Sequence, residues 1–298
     1  MTHKEENDMS SYKSIGIFNG DKRQVYMALS LLDKGYLVYT FNLQEPLIHQ
    51  NHIAVNSIDE LITYCKVLIG PIPLTLNDIS LPQDILYEQR GTTFCNMLTK
   101  EHALFAGNIP TNVLDMLKKK EIFFYDLLKN ETIAVLNAIA TAEGTIMEAI
   151  RNSDGNLHGS SCLILGYGRC GKVLASKLKG LDAKVTVAAR NEHSLAYAKA
   201  SGFSTLFLNE IISYLEDYEY IFNTIPSLIL DKECLRYVSP DVNIIDIASA
   251  PGGVDFEYAK DHDINAKLCL GLPGKVAPKS SADILLNEIG ALLKERSG

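Results

Sequence analysis

Residues Ser160–Gly180, SSCLILGYGRCGKVLASKLKG, join a short apolar run, a glycine cluster and a helical apolar pattern in one stretch. Cys162–Leu165 reads as a buried strand and Gly166, Gly168 and Gly171 as a turn. Val173, Leu174 and Leu178 form the apolar face of the helix that follows. In such a unit the first glycine makes the tight turn and the second lets a pyrophosphate approach the backbone. The third lets helix and strand pack closely. The N–H groups of the first helical turn have no partner within the helix, and with the helix dipole they attract phosphate. The G-x-G-x-x-G spacing, between strand and helix, specifies a dinucleotide site built from Gly166, Tyr167, Gly168, Arg169, Cys170 and Gly171. The competing reading is a glycine turn that has lost its ligand.

The next strand selects the nucleotide. An NAD site places Asp or Glu at the end of the second strand, about 20 residues past the glycines, to bind the ribose 2′-OH. Here that strand ends Ala188-Ala189-Arg190-Asn191, with no acid. A guanidinium at Arg190 can clamp a 2′-phosphate bidentately, and Arg169 can stack on the adenine or add a second cation. NADP is therefore expected, with Ala189, Arg190 and Asn191 at its ribose. A solvated strand-end arginine is the alternative for Arg190.

The 298 residues suffice for two domains, and 47% hydrophobic with 21% charged content is that of a globular chain. A net charge of −8 argues against a sequence-independent nucleic-acid surface or an anionic-membrane surface. The six cysteines are scattered without a C-x-x-C pair and read as reduced core residues of a cytoplasmic protein. The polar start, MTHKEENDMSSYKS, lacks the apolar segment of a signal peptide, and no apolar run is expected to be long enough to span a bilayer. No His/Cys/Asp/Glu group has metal-ligand spacing, so no metal is expected.

Along the chain, strands are expected at Ser14–Asn19, Tyr36–Phe41, Val67–Gly70, Ala103–Ala106 and Ile122–Tyr125, with helices between them. This alternation gives an α/β, doubly wound parallel sheet. Residues 1–140 are assigned to a flavodoxin-like substrate or partner domain. Residues 141–298 are assigned to an NADP-binding Rossmann domain that includes the C-terminal helix. In the second domain, strands are expected at Lys184–Ala188, Thr205–Leu208, Tyr220–Asn223, Val242–Ile247 and Ala266–Leu270. The C-terminal helix, Ser281–Arg296, carries Ile284, Leu285, Ile289, Leu292 and Leu293 on one side.

In such sheets ligands lie beyond the carboxyl ends of the strands. Three strand-end loops qualify: Thr224-Ile225-Pro226, Ala248–Gly253 and Gly271–Pro278, the last containing Pro273. Their Gly and Pro content gives rigid turns with bare N–H groups; any single one of them reads first as a simple turn, and it is the three together that point to a pocket. A D-2-hydroxyacid dehydrogenase would need an arginine in the second of these loops and a late histidine. The loop is Ala248-Ser249-Ala250, and the last histidine, His262, falls before the final strand. Reduction of a 2-keto acid is disfavoured.

The segments ATAEGTIMEAI (Ala140–Ile150), LHGSSCLILGYGRCGK, VAAR, NTIPSLIL (Asn223–Leu230), IDIASAPGGVDFEYA (Ile245–Ala259) and GLPGKVAPKSSADIL (Gly271–Leu285) resemble the dipicolinate synthase A subunits of spore-forming bacteria. Gly20–Gln24 is similar to that family's first βα turn. The resemblance is dense from Ala140 to Leu293 and thinner over Val38–Asn130. Asn19, Ala140 and Ala250 depart from the glycine, proline and arginine expected there.

The resemblance implies an NADP-linked oxidoreductase that works with a small flavoprotein-like B subunit to make pyridine-2,6-dicarboxylate from a dihydrodipicolinate-level intermediate. A homo-oligomer is also expected. Such a small dicarboxylate substrate calls for cations and N–H donors. The candidates are Lys22, Arg23, Lys275 and Lys279, the backbone of Gly252 and Gly253, and Ser249 and Thr141. Lys279 reads equally as a solvated residue, and Thr141 and Glu143 as helix-capping groups. Glu143 and Asp21 are the options for proton acceptor, with Glu143 and Lys275 assigned to catalysis. Two other readings stay open: a different NADP dehydrogenase acting alone on a cyclic imine or keto acid, and a non-catalytic NADP-sensing protein.

Overall fold

The computed structural model describes residues 13–77 and 86–297, so most of the polar N-terminal arm lies outside the described residues. The chain forms two compact units, Met1–Ala134 with Ala277–Gly298, and Val135–Val276. The first contains β1 (Ser14–Phe18), α1 (Lys22–Asp33), β2 (Leu37–Phe41), β3 (His52–Ala54), α2 (Ile58–Tyr64) and β4 (Val67–Ile69). It continues with α3 (Tyr87–Met97), β5 (Ala103–Ala106), α4 (Thr111–Lys119) and β6 (Phe123–Asp126). Helix α5 (Glu131–Arg151) leads into the second unit. There follow β7 (Ser161–Leu165), α6 (Arg169–Gly180), β8 (Lys184–Ala189), α7 (Glu192–Ala200), β9 (Ser204–Phe207) and β10 (Tyr220–Asn223). The unit ends with α8 (Lys232–Leu235), β11 (Asn243–Asp246), α9 (Phe256–Asp261), β12 (Asn265–Leu268) and α10 (Leu272–Val276). Helix α11 (Pro278–Ser297) ends the chain.

Each unit holds a six-stranded parallel sheet, ordered β3-β2-β1-β4-β5-β6 in the first and β12-β11-β10-β7-β8-β9 in the second. Numbered within its own unit, each reads 3-2-1-4-5-6, the doubly wound Rossmann order. In the first unit β2-β1-β4-β5-β6 alone is the flavodoxin-like order, and β3 extends it by one edge strand.

Helix starts follow from local chemistry. Asp21 caps α1 by accepting from the Arg23 N–H at 2.9 Å, and the Gln24 side chain reaches back to the Asp21 N–H at 3.0 Å. Ser57 caps α2 through the Glu60 N–H at 3.1 Å. The central strands β1, β4, β5, β7, β10 and β11 are buried on both faces, as crossover helices require. In the first unit Ile15, Ile17 and Ile69 pack on one side with Met27 and Leu31 of α1, while Phe18, Leu68 and Leu104 pack on the other with Leu61, Phe94 and Val113. In the second, Ile164, Val187 and Phe222 meet Leu174 and Leu178 of α6, and Leu163, Ile221 and Ile244 meet Leu215 and Leu235.

Two expectations are corrected here. The C-terminal helix does not belong to the second unit, to which the sequence assigns it. Leu285, Leu286, Ile289 and Leu293 of α11 are buried in the core that contains Ile15, Leu31 and Phe105 of the first unit. Tyr125 Oη and Asn130 Nδ2 also donate to Glu288 Oε1, at 3.2 and 2.6 Å. Second, α5 does reach the length and apolarity of a bilayer-spanning helix. It serves instead as a core helix, with Ile133 in the first unit's core and Ala142 and Ala149 in the second's. All six cysteines are free thiols. Burial pushes Cys65 up to about 12 and Cys95, Cys162 and Cys234 up to about 11, so they are neutral near pH 7.

Candidate functional site

The three glycines of the 166–171 turn have separate physical reasons. Gly166 takes φ +97°, and a Cβ there would lie 2.4 Å from Thr224 Oγ1. A Cβ on Gly171 would lie 2.2 Å from the Gly166 carbonyl oxygen, so only glycine lets α6 start this close to β7. A Cβ on Gly168 would meet nothing within 4 Å, leaving open space above the backbone. Gly168 is also the N-cap of α6, with no side chain closing the first turn. Tight turn, open approach and close packing thus fall on the three positions a dinucleotide cradle requires. Of the intervening residues, Tyr167 is buried with its ring edge-on to Phe203, so it offers backbone only. Arg169 is exposed, and Cys170 is half-buried, its thiol raised by burial.

At the end of β8, Ala189 is buried and Arg190 is exposed. Arg190 has no ion-pair partner among the described residues. Asn191 caps α7 through the Ser194 N–H at 2.8 Å, which engages its side-chain oxygen locally. In a doubly wound sheet the end of this second strand is where ribose specificity is read, and Arg190 stands there exposed.

The neighbouring strand ends carry a polar pair that the sequence reading overlooked. Asn223 ends β10 and Asp246 ends β11 at the same register, both fully buried. Asn223 Nδ2 donates to Asp246 Oδ1 at 3.0 Å. Asp246 also accepts the Ala248 N–H at 2.9 Å on Oδ1 and the Gly253 N–H at 2.6 Å on Oδ2. Burial raises the Asp246 carboxyl above its usual range, against these hydrogen bonds, which lower it. Asn223 holds its own loop as well, accepting the Ile225 N–H and donating to the Ile225 carbonyl, both at 3.1 Å. Thr224 Oγ1 donates to the Leu165 carbonyl at 2.9 Å, tying that loop to the strand before the glycine turn. A polar residue directly after two buried apolar ones at each strand end, Ile221-Phe222-Asn223 and Ile244-Ile245-Asp246, was the available signal.

Several expected site residues are engaged elsewhere. The N–H groups of Gly252 and Gly253 are not free for a substrate, because they donate to the Ser249 carbonyl and to Asp246. Glu143 bridges Lys177 at 2.8 Å on an exposed surface. Lys177 lies in the last turn of α6, on the order of 13 Å along the helix from the glycine turn, so Glu143 is not brought to the crevice. Thr141 is an exception: its Oγ1 donates to the Asn137 carbonyl within α5, and its hydroxyl also lies against the Cys170 thiol of the glycine turn. In the first unit Arg23 is buried, with Nε and Nη2 on the Asp21 carboxylate and Nη2 also on the Ile72 carbonyl. It braces the first βα turn, which removes both Arg23 as a substrate clamp and Asp21 as a free base. Lys22 is exposed and faces Glu45 at 3.4 Å.

The remaining candidates lie in the strand-end loops and on α10 and α11. Ser249 and Pro226 are exposed, Thr224 and Ile225 are half-buried, and Ala248 is buried. The expected 271–278 loop contains α10, with Pro273 half-buried and Lys275 exposed. Lys279 is exposed on α11, in the first unit, whereas Lys275 belongs to the second.

Residues 14–128 match the family model of the N-terminal domain of the dipicolinate synthase A subunit. The chain is 33% identical to the A subunit of dipicolinate synthase from Bacillus subtilis (strain 168), over 94% of this chain and 96% of that protein. The crystal structure of the corresponding dipicolinate synthase A subunit from Bacillus halodurans superposes with a TM-score of 0.82 at 30% identity, covering 94% of this chain and 97% of that one. A transhydrogenase from Sinorhizobium meliloti, 12% identical with a TM-score of 0.63 over 94% of each chain, shares the fold. With both the family model and a relative of nearly full coverage in agreement, the chain belongs to the dipicolinate synthase A-subunit family.

Proposed function

We propose that this chain is an NADP-linked oxidoreductase subunit that forms pyridine-2,6-dicarboxylate from a dihydrodipicolinate-level intermediate of the lysine pathway during sporulation. Membership of the family carries the dehydrogenase-type oxidoreductase role. The nucleotide assignment rests on the glycine cradle, open above Gly168, with Arg190 free of any described carboxylate at the end of β8. The backbone of Gly166–Gly171 would hold the pyrophosphate and Arg190 the 2′-phosphate. The bound nucleotide would supply a nicotinamide able to accept a hydride.

The chain's own residues would shape the rest of the crevice. Thr224–Pro226 and Ala248–Ser249 stand at the carboxyl ends of β10 and β11, beside the glycine turn, and would wall the nicotinamide side. Lys275 is an exposed cation in the same unit, suited to a substrate carboxylate. The ring would lose a hydride from one carbon and a proton from its neighbour, becoming an aromatic pyridine. A flavoprotein-like B subunit is the proposed partner, with a cytoplasmic, homo-oligomeric setting.

The test is reconstitution. The purified chain, its partner subunit, NADP+ and the dihydrodipicolinate-level compound should together develop the ultraviolet absorbance of a pyridine dicarboxylate. Absence of product with any partner subunit would overturn the proposal.

A further inference from the structure

We infer that Asp246 is a positioning residue that locks the two loops beside the nicotinamide into one rigid wall. Three amides rest on its pairing with Asn223. The Ile225 N–H is held by Asn223 Oδ1, and the Ala248 and Gly253 N–H groups by the two Asp246 oxygens. The 3.0 Å bond between Asn223 Nδ2 and Asp246 Oδ1 joins the two sets. Both residues are fully buried, where an unmatched donor or carboxylate oxygen is costly, so the pair holds its geometry as a unit.

The pair is keyed to the glycine turn through two further contacts. Thr224 Oγ1 donates to the Leu165 carbonyl, and the same oxygen lies 2.4 Å from where a Cβ on Gly166 would sit. Around Gly253 the packing is equally close. A Cβ there would lie 2.5 Å from the Ser227 carbonyl and 2.6 Å from Asn223 Nδ2. A shift of the 248–253 loop therefore cannot occur without moving the 224–227 loop. The carboxylate touches neither the cradle's open face nor a free surface, so it acts through these loops. It would set the angle and distance at which a nicotinamide is presented, while pyrophosphate affinity stays with Gly166–Gly171.

This inference rests on the nucleotide reading, and the experiment separates the two. NADPH is titrated calorimetrically into the full-length protein, and the emission of the bound nicotinamide is recorded. In Asp246→Asn an amide NH2 would face the Gly253 N–H or the other donors, so the wall loosens. The expected result is NADPH affinity within about threefold of wild type, a still cooperative thermal unfolding at a lower midpoint, and loss of the bound-state emission enhancement. Asn223→Ala, which removes the cross-link but leaves the Asp246 amide bonds, should reduce the enhancement less. Should either variant fail to fold, hydrogen exchange on the wild type decides: the Ile225, Ala248 and Gly253 amides should exchange at a common rate. Wild-type emission retained in Asp246→Asn, or unrelated exchange rates for the three amides, would overturn the inference. Absence of NADPH binding by the wild type would bring down the nucleotide reading and the inference together.

Discussion

A methyl group on Gly171 would lie 2.2 Å from the carbonyl oxygen of Gly166, closer than any carbon–oxygen contact tolerates. The neighbour is backbone, so relief requires the start of α6 to move off β7. Gly171→Ala should therefore cost about 1–3 kcal/mol of stability and abolish measurable nucleotide binding. Gly168→Ala should separate the two effects. No protein atom lies near its Cβ, so stability should change by no more than about 1 kcal/mol, the helix-cap difference, while the added methyl blocks the pyrophosphate. Denaturant unfolding and calorimetric NADPH titration of both variants check this.

Arg190→Ala should discriminate between nucleotides. If the guanidinium binds the 2′-phosphate, NADPH affinity should fall by roughly 1.5–3 kcal/mol, the worth of a charge-assisted hydrogen bond, with NADH affinity nearly unchanged. Equal losses for both would show that Arg190 does not read the phosphate.

The placement of α11 has its own test. Leu285 is fully buried beside Ile15, Leu31 and Phe105, so Leu285→Ala should destabilise the first unit by about 2–5 kcal/mol. Hydrogen exchange should rise at the β1 and β4 amides and stay unchanged at β7 and β10. The reverse pattern would return the helix to the second unit.

Acid should loosen the first βα turn. Burial raises the Asp21 carboxyl, but its hydrogen bonds and ion pair with Arg23 outweigh this and hold it below its ordinary value of 3.8. A depressed carboxylate stabilises the folded state above the unfolded pKa and loses that contribution as pH falls through the folded one. Asp21→Asn should therefore unfold at lower denaturant than wild type at pH 7. The two should converge once the pH falls below the folded pKa, under about 4.

The glycine turn was legible because its information is local: six residues set the strand end, the tight turn and the helix start. The alternation of strands and helices gave both sheets, yet β3 escaped, being three residues with only His52 half-buried. Helix α11 was recognised from its apolar stripe, but a stripe does not say which core it enters. Leu285 and Ile289 look the same in sequence whether they face Ile15 or Ile164. The substrate residues were least legible for the same reason. Gly253 has a bare N–H in sequence, and only the fold shows Asp246, seven residues earlier, accepting it. Glu143 and Lys177 are 34 residues apart and meet only once α5 lies along α6. Arg23 reads as an exposed cation until the 71–73 loop closes over it.

The most direct measurement is the stoichiometry of the reconstituted reaction. The chain, with its partner subunit, NADP+ and the dihydrodipicolinate-level compound, should form one NADPH for each pyridine-2,6-dicarboxylate that appears. Arg190→Ala should slow both together. Dicarboxylate accumulating without NADPH, or at an unchanged rate when NADP+ is omitted, would contradict a hydride-accepting nucleotide in the Gly166–Gly171 cradle.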